Sequence, residues 1–189
     1  LHNNLTAKMI YFSSASVYGD KSLAPNDENS QTIPYDIYSE LKLNNERIVL
    51  GNGGMVIRLS NVLGDGMHKK NIFGDIKKQI DNKTENLIIQ NKCSIRDYIY
   101  IDDVCDFIET VVCANQLKNS VYNLGSGYGT SVEEIINLMS IKFDYKCNII
   151  ETKKLNSVSC NILSIEKAKQ NYKWVPATTF KDIMNKIYS

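Results

Sequence analysis

The feature that most constrains this chain is an alternation: apolar runs of strand length take turns with segments of helical periodicity. That is the pattern of an α/β protein built on a largely parallel sheet. Lys8 to Ser13 is a buried strand. Tyr38 to Val49 is a helix with Leu41, Ile48 and Val49 on its inner side, ended by Gly51 to Gly54. Met55 to Ser60 is the next strand. Ile72, Phe73, Ile76 and Ile80 repeat at helical spacing, Leu87 to Gln90 is extended, and Arg96 to Ile101 alternates as a strand does. Asp102 and Asp103 stand where an N-cap belongs, ahead of the apolar face Val104, Phe107, Ile108, Val111 and Val112. Ser120 to Leu124 is extended, Ser131 and Glu134 form a capping box, and Phe180, Ile183, Met184 and Ile187 mark a last amphipathic helix. The polar stretches Asp20 to Thr32 and Thr152 to Asn161 read as loops.

Composition narrows the class of partner. The 189 residues carry 22 Lys and Arg against 21 Asp and Glu, so no net field draws the chain to nucleic acid or an anionic membrane. No apolar run approaches the ~20 residues of a bilayer span. Five cysteines without a C-x-x-C pair fit no disulfide framework and point to a reducing, cytoplasmic setting. With only His2 and His68 available, no metal site is expected.

Chemistry concentrates on Tyr38-Ser-Glu-Leu-Lys42, in which Tyr38 and Lys42 share one helix face. A nearby ammonium stabilises a phenolate, so such a tyrosine can accept a proton from an alcohol near neutral pH. Serines at the carboxyl end of the preceding strand, Ser13 and Ser14, lie at the edge where open α/β sheets place ligands. Taken alone, the tyrosine and lysine are a common pair on exposed helices.

The surroundings are more specific. Phe12-Ser-Ser-Ala-Ser-Val-Tyr-Gly19, Pro34, Tyr38-x-x-x-Lys42 with Glu46, Arg58-Leu-Ser-Asn61, Arg96-Asp-Tyr-Ile-Tyr-Ile-Asp-Asp103, Tyr122-Asn-Leu-Gly-Ser-Gly127 and Trp174-Val-Pro176 follow in order. Together they resemble the extended short-chain dehydrogenase/reductase family, and within it the NAD-dependent nucleotide-sugar epimerases and dehydratases. The resemblance implies an incomplete Rossmann-like (doubly wound) NAD-binding fold with a smaller C-terminal α/β substrate-binding domain. Residues 1–64 would belong to the NAD-binding domain and 65–189 mainly to the substrate domain, with about 97–124 returning to the Rossmann sheet.

By the same resemblance Ser14, Tyr38 and Lys42 match the catalytic groups, and Ser13, Tyr38 and Lys42 contact the cofactor, NAD or alternatively NADP. Ser14, Asn61, Asn71, Arg96 and Lys154 match substrate-binding positions for a nucleotide-diphosphate sugar, most often a UDP-sugar. A homodimer through the Tyr38 helix is the family's habit. An epimerase is the leading expectation. A reductase or dehydratase of the same family and an inactive sugar-nucleotide-binding module are the alternatives. Ala15 and Ser16 stand where dehydratases usually carry acidic residues after the catalytic serine or threonine, which disfavours elimination.

The sequence also departs from the pattern. Leu41 replaces a usual serine, Gln90 and Lys92 replace two glycines, Lys154 replaces an arginine and Ser157 an aspartate. Arg96 has a bland alternative, an ion pair with Asp97 or a neighbour. Nothing before Ser13 offers the glycine-rich pyrophosphate loop of a dinucleotide fold. Gly125-Ser-Gly-Tyr-Gly129 does not supply it either, because Thr130 stands where the third glycine is required. The expectation is therefore a fragment of a longer enzyme that alone binds NAD weakly and turns nothing over.

Overall fold

The computed structural model describes residues 9–20, 24–68, 70–114, 118–153 and 159–189. Lys154 and Ser157 lie outside the described residues. Among the described residues no helix is long and apolar enough to cross a membrane.

Three parallel strands hold the first half together. β1 (Ile10–Ser14) pairs with β2 (Met55–Leu59), and β2 pairs with a third strand, Val121–Leu124. The β1 to β2 crossover is α1 (Ile37–Gly51). Asp36 and Ser39 open this helix as a reciprocal capping box, satisfying amide groups the first turn leaves without partners. It ends at Asn52, and Gly53 follows with φ 78°, a left-handed conformation that glycine adopts without steric cost.

The inner face of α1 differs from the expected one. Leu41 and Ile48 are 57% and 63% exposed, whereas Ser39, Glu46 and Val49 are buried. Glu46 can sit inside because it is fully partnered. Its carboxylate accepts from Arg58 Nε and Nη2 and from the Ser13 hydroxyl.

After β2 the chain forms β3 (Asn61–Leu63), α2 (Ile72–Asp81), β4 (Asn86–Ile89), β5 (Ile95–Tyr100) and α3 (Ile101–Cys113). β6 (Val121–Leu124) is the strand that pairs with β2. Then come β7 (Gly129–Ser131), α4 (Val132–Lys142), β8 (Asn148–Glu151), β9 (Cys160–Asn161), α5 (Glu166–Tyr172) and α6 (Phe180–Ile187). β5 is the hub of a second sheet, parallel to β3 and β9 and antiparallel to β7. β4 and β8 form a separate parallel pair.

Two large apolar clusters match these sheets. Met55, Ile57, Phe107, Val111, Tyr122, Leu124 and Trp174 pack between the first sheet and α3. Phe73, Ile76, Leu87, Ile135, Met139 and Ile183 pack among α2, β4, α4 and α6. Burying side chains of this size stabilises by roughly 1.5–3 kcal/mol each.

Asp103 does not act as the cap that its position suggests. The N-cap of α3 is Tyr100, which makes no side-chain cap bond, and Asp102 and Asp103 lie within the first turn. Asp103 is buried and accepts from the amides of Ala177 at 2.8 Å and Thr178 at 3.3 Å. It fastens the segment between Trp174 and α6 to α3.

Candidate active site

The register of the first sheet places Ser14 beside Leu59 and Leu59 beside Leu124, so the carboxyl ends of β1, β2 and β6 form one edge. Such an edge is where an open α/β sheet leaves room for ligands. A 3₁₀ turn, Ala15–Tyr18, follows β1, with the Ser14 side chain accepting from Ser16 N at 3.2 Å.

On α1, Tyr38, Lys42 and Glu46 recur every fourth residue and therefore share a face. Glu46 at the buried end locks to β1 and β2. Lys42 Nζ donates to Phe12 O at 2.8 Å and lies 5.6 Å from the Tyr38 ring centroid and 5.1 Å from that of Tyr11. Tyr38 itself is 54% exposed, and its hydroxyl makes no hydrogen bond to any described residue. The helix thus holds a phenol beside an ammonium, next to the strand that ends in Ser14. Ser13 is different: its hydroxyl is buried and its proton is committed to Glu46.

One cavity lies at this edge and a second meets it at Arg96. The smaller, about 110 Å³, is lined by Ser14, Ser16, Asp20, Ser60, Asn61, Arg96 and Asn161 among others. The larger, about 550 Å³, runs between α2 and the β4–β8 pair, with Asn71, Ile72, Ile76, Ile88, Gln90 and Thr152 in its wall. Arg96 lines both.

Three buried side-chain oxygens have no hydrogen-bond partner among the described residues: Ser16 Oγ, Ser60 Oγ and Asn161 Oδ1. All three residues line the smaller cavity. The Asn161 amide cannot turn this oxygen away, because its Nδ2 donates to Ala15 O at 2.9 Å and Gly19 O at 2.8 Å. Unpartnered buried polar groups are costly, so this cavity suits a ligand rich in hydroxyl groups.

The other expected residues fall around the same place. Asn61 lines the small cavity while its Nδ2 donates to Asp97 O at 3.0 Å. Asn71 stands on the rim of the large one, and both ends of its amide are engaged, Oδ1 by Gly74 N and Nδ2 by His68 O. Arg96 pairs with Asp20 at 2.8 Å, not with Asp97. Gln90 lines the large cavity, and Lys92 pairs with Glu133 at 3.3 Å on the first turn of α4. Among the described residues no group of three or more His, Cys, Asp or Glu is placed to hold a metal ion.

Asp97 explains the glycine-rich stretch after β6. Its buried carboxylate accepts from Ser126 N and Oγ, from Gly127 N and from Leu163 N. Burial pushes the Asp97 carboxyl above the usual carboxylate range, against the bonds from Ser126, Leu163 and Gly127 that pull it down. The turn wraps a carboxylate of this chain, and Gly125 is the glycine packed directly against it.

Sequence reasoning overlooked Asp20, Ser60 and Asn161 as site residues. Ser60 adjoins Asn61 and was within reach of the motif. Asn161 carries no local signal, since β9 brings it beside Arg96 across 65 residues of chain.

The chain is similar in sequence and fold to known proteins. Residues 1–125 match the profile of the NAD dependent epimerase/dehydratase family. A putative UDP-glucose 4-epimerase of Methanocaldococcus jannaschii is 27% identical over 95% of this chain and 61% of its own length. A dTDP-4-dehydro-6-deoxyglucose reductase of Escherichia coli is 25% identical over 99% of this chain and 62% of its own. The chain therefore spans about three-fifths of these relatives. The structure of RMD from Pseudomonas aeruginosa complexed with NADPH superposes with a TM-score of 0.87 at 21% identity, over 97% of this chain and 66% of that one. The fold is thus the Rossmann-like α/β fold of that structure, over the part this chain spans.

Proposed function

The chain belongs to the NAD dependent epimerase/dehydratase family, and we propose that it is the catalytic and substrate-binding part of a nucleotide-sugar 4-epimerase. The observation that carries this reading is Arg96, which lines both cavities at once. A nucleotide-diphosphate sugar has the matching order: a planar base and ribose at one end, a sugar at the other, and two phosphates between. The larger cavity, walled by Ile72, Ile76 and Ile88, suits the nucleoside. The smaller one, with its three unpartnered oxygens, suits the sugar hydroxyls. A guanidinium between them donates charge-assisted bonds to phosphate.

Tyr38, Lys42 and Ser14 supply the chemistry. The exposed phenol and ammonium at the end of β1 are donors and acceptors that suit the hydroxyls of a nicotinamide ribose, and Tyr38 and Lys42 are the residues that would hold it. NAD, when bound there, would supply the redox chemistry, a hydride acceptor and donor. Tyr38 takes the proton of the sugar hydroxyl as that carbon is oxidised and gives it back on re-reduction. Lys42 sets its ammonium 5.6 Å from the Tyr38 ring centroid, where it attracts negative charge developing on the phenol during proton transfer, and Ser14 hydrogen-bonds the same sugar oxygen. Ala15 and Ser16 stand at the two positions after Ser14 where dehydratases of the family usually carry acidic residues, which favours epimerisation over dehydration.

Reduction is the second reading, since one relative is a reductase and the same three residues serve it. The test is proton NMR of the protein with UDP-glucose, NAD and, separately, NADPH. Appearance of a second UDP-hexose without net nicotinamide oxidation or reduction supports the epimerase. Stoichiometric NADPH oxidation with a keto-sugar assigns a reductase. Calorimetry with UDP-glucose accompanies it, and failure to bind any nucleotide-diphosphate sugar would overturn the proposal. The exposed stripe Ile37, Leu41 and Ile48 on α1 supports a homodimer through this helix, which light scattering checks.

A further inference from the structure

The guanidinium of Arg96 is already engaged. Nη1 donates to Ile95 O at 2.8 Å and Ser159 O at 3.0 Å, and Nη2 donates to Asp20 Oδ2 at 2.8 Å and Ser159 Oγ at 2.7 Å. Ser159 Oγ also donates to Asp20 Oδ2 at 3.0 Å, which closes a ring of three side chains. The backbone of Asp20 is fixed as well, its carbonyl accepting from Cys160 N at 2.8 Å. Four of the five N–H groups of a guanidinium are thereby used. The two on Nη2 are shared with side chains, and side chains can move away where main-chain carbonyls cannot.

From this geometry we infer that Asp20 is a resident counter-ion of Arg96 that a ligand's diphosphate must displace, so that Asp20 sets the affinity and anion selectivity of the cleft. The inference rests on the nucleotide-diphosphate reading of the two cavities. With Asp20 in place the Arg96 charge is neutralised before any ligand arrives. A phosphate that reaches Nη2 meets a carboxylate beside it, and like charges at that distance repel. The side chains of Arg96 and Asp20 are 27% and 32% exposed, so the repulsion is partly screened yet not abolished. A small anion gains one contact and bears that cost alone. A nucleotide diphosphate offsets it with base and ribose contacts in the larger cavity. Asp20 thus favours the complete ligand over free pyrophosphate or inorganic phosphate. It also speeds release, because the carboxylate is at hand to retake Arg96.

Calorimetric titration of the protein with UDP, and separately with inorganic pyrophosphate, tests this. Asp20→Asn keeps the size of the side chain and removes its charge. UDP should bind it about tenfold more tightly at low ionic strength, with a larger relative gain for pyrophosphate and both gains shrinking as salt is added. Ser159→Ala removes a neutral partner and should change either affinity less than Asp20→Asn. Asp20→Glu retains the charge and should stay close to the wild type. If Asp20→Asn does not fold, Asp20→Ser carries the same expectation.

Unchanged or weaker binding by a folded Asp20→Asn, with wild-type binding intact and lost in Arg96→Ala, would overturn the counter-ion role alone. If the wild type binds no UDP, or Arg96→Ala binds it as well as the wild type, the cleft reading falls and this inference with it.

Discussion

Arg58 on β2 and Glu46 on α1 meet as a two-point ion pair, Nη2 to Oε2 at 2.7 Å and Nε to Oε1 at 3.1 Å, with side chains only 6% and 2% exposed. Arg58 Nη1 continues to the Tyr18 hydroxyl at 2.8 Å, and that hydroxyl donates to Asn123 Oδ1 at 2.7 Å. One buried polar chain therefore ties the helix of Tyr38 and Lys42 to β1, β2 and β6. A buried pair is strongly destabilising to break, because removing one partner strands the other charge in a dry interior. Glu46→Ala should lower unfolding free energy by about 3–5 kcal/mol. Glu46→Leu combined with Arg58→Met should cost less than the sum of the two single changes. Denaturant unfolding of Glu46→Ala and of the four proteins of the Glu46→Leu and Arg58→Met cycle checks this, and additive losses in the cycle would refute it.

This pair also marks where the sequence stops being informative. Helical period located α1, and the local capping box of Ser131 and Glu134 located α4, since both signals lie within a few residues. Period could not say which face of α1 is inside. The apolar Leu41 and Ile48 face outward because a charged residue, Glu46, finds partners within. The motif order singles out Ser14, Asn61 and Arg96, and the fold places these three on one cavity. The partners of Arg96 and Asp103 were not legible, since they lie 76 and 74 residues away and no local preference encodes them.

Asp103 gives a local version of the same test. Its two acceptor bonds to Ala177 and Thr178 hold the chain between Trp174 and α6. Asp103→Ala leaves two amides without their partner and should cost about 1–3 kcal/mol. It should also speed hydrogen exchange at Ala177 and Thr178 more than at β2. Equal protection in variant and wild type would show that Trp174 packing alone suffices.

Alkali should expose a different weakness. Burial pushes Tyr18, Tyr98, Tyr172 and Tyr188 each up to about 12. In the unfolded chain a tyrosine ionises near ~10. Between these values the unfolded state holds fewer protons than the native one, so unfolding free energy falls as pH rises. The contribution of these four is complete below pH ~10 and is lost as pH climbs through about 12. Thermal midpoints measured from pH 8 to 11.5 should decline beyond pH ~10. Phenolate absorbance at 295 nm should show a fraction of the 11 tyrosines ionising only as the protein unfolds.

Gly125 tests whether the glycine-rich turn belongs to packing or to ligand binding. A Cβ there would lie 2.4 Å from Asp97 Oδ2, and that carboxylate cannot retreat because Ser126, Gly127 and Leu163 all hold it. Gly127 is constrained separately by its φ of 79°. Gly125→Ala should therefore destabilise by about 1–3 kcal/mol through overpacking. Because the turn surrounds Asp97 and lines neither Arg96 cavity, the affinity of the folded variant for UDP should stay within twofold of the wild type. Stability and binding measured on the same preparation separate the two roles. A Gly125→Ala protein as stable as the wild type that no longer binds nucleotide would return this turn to the ligand site.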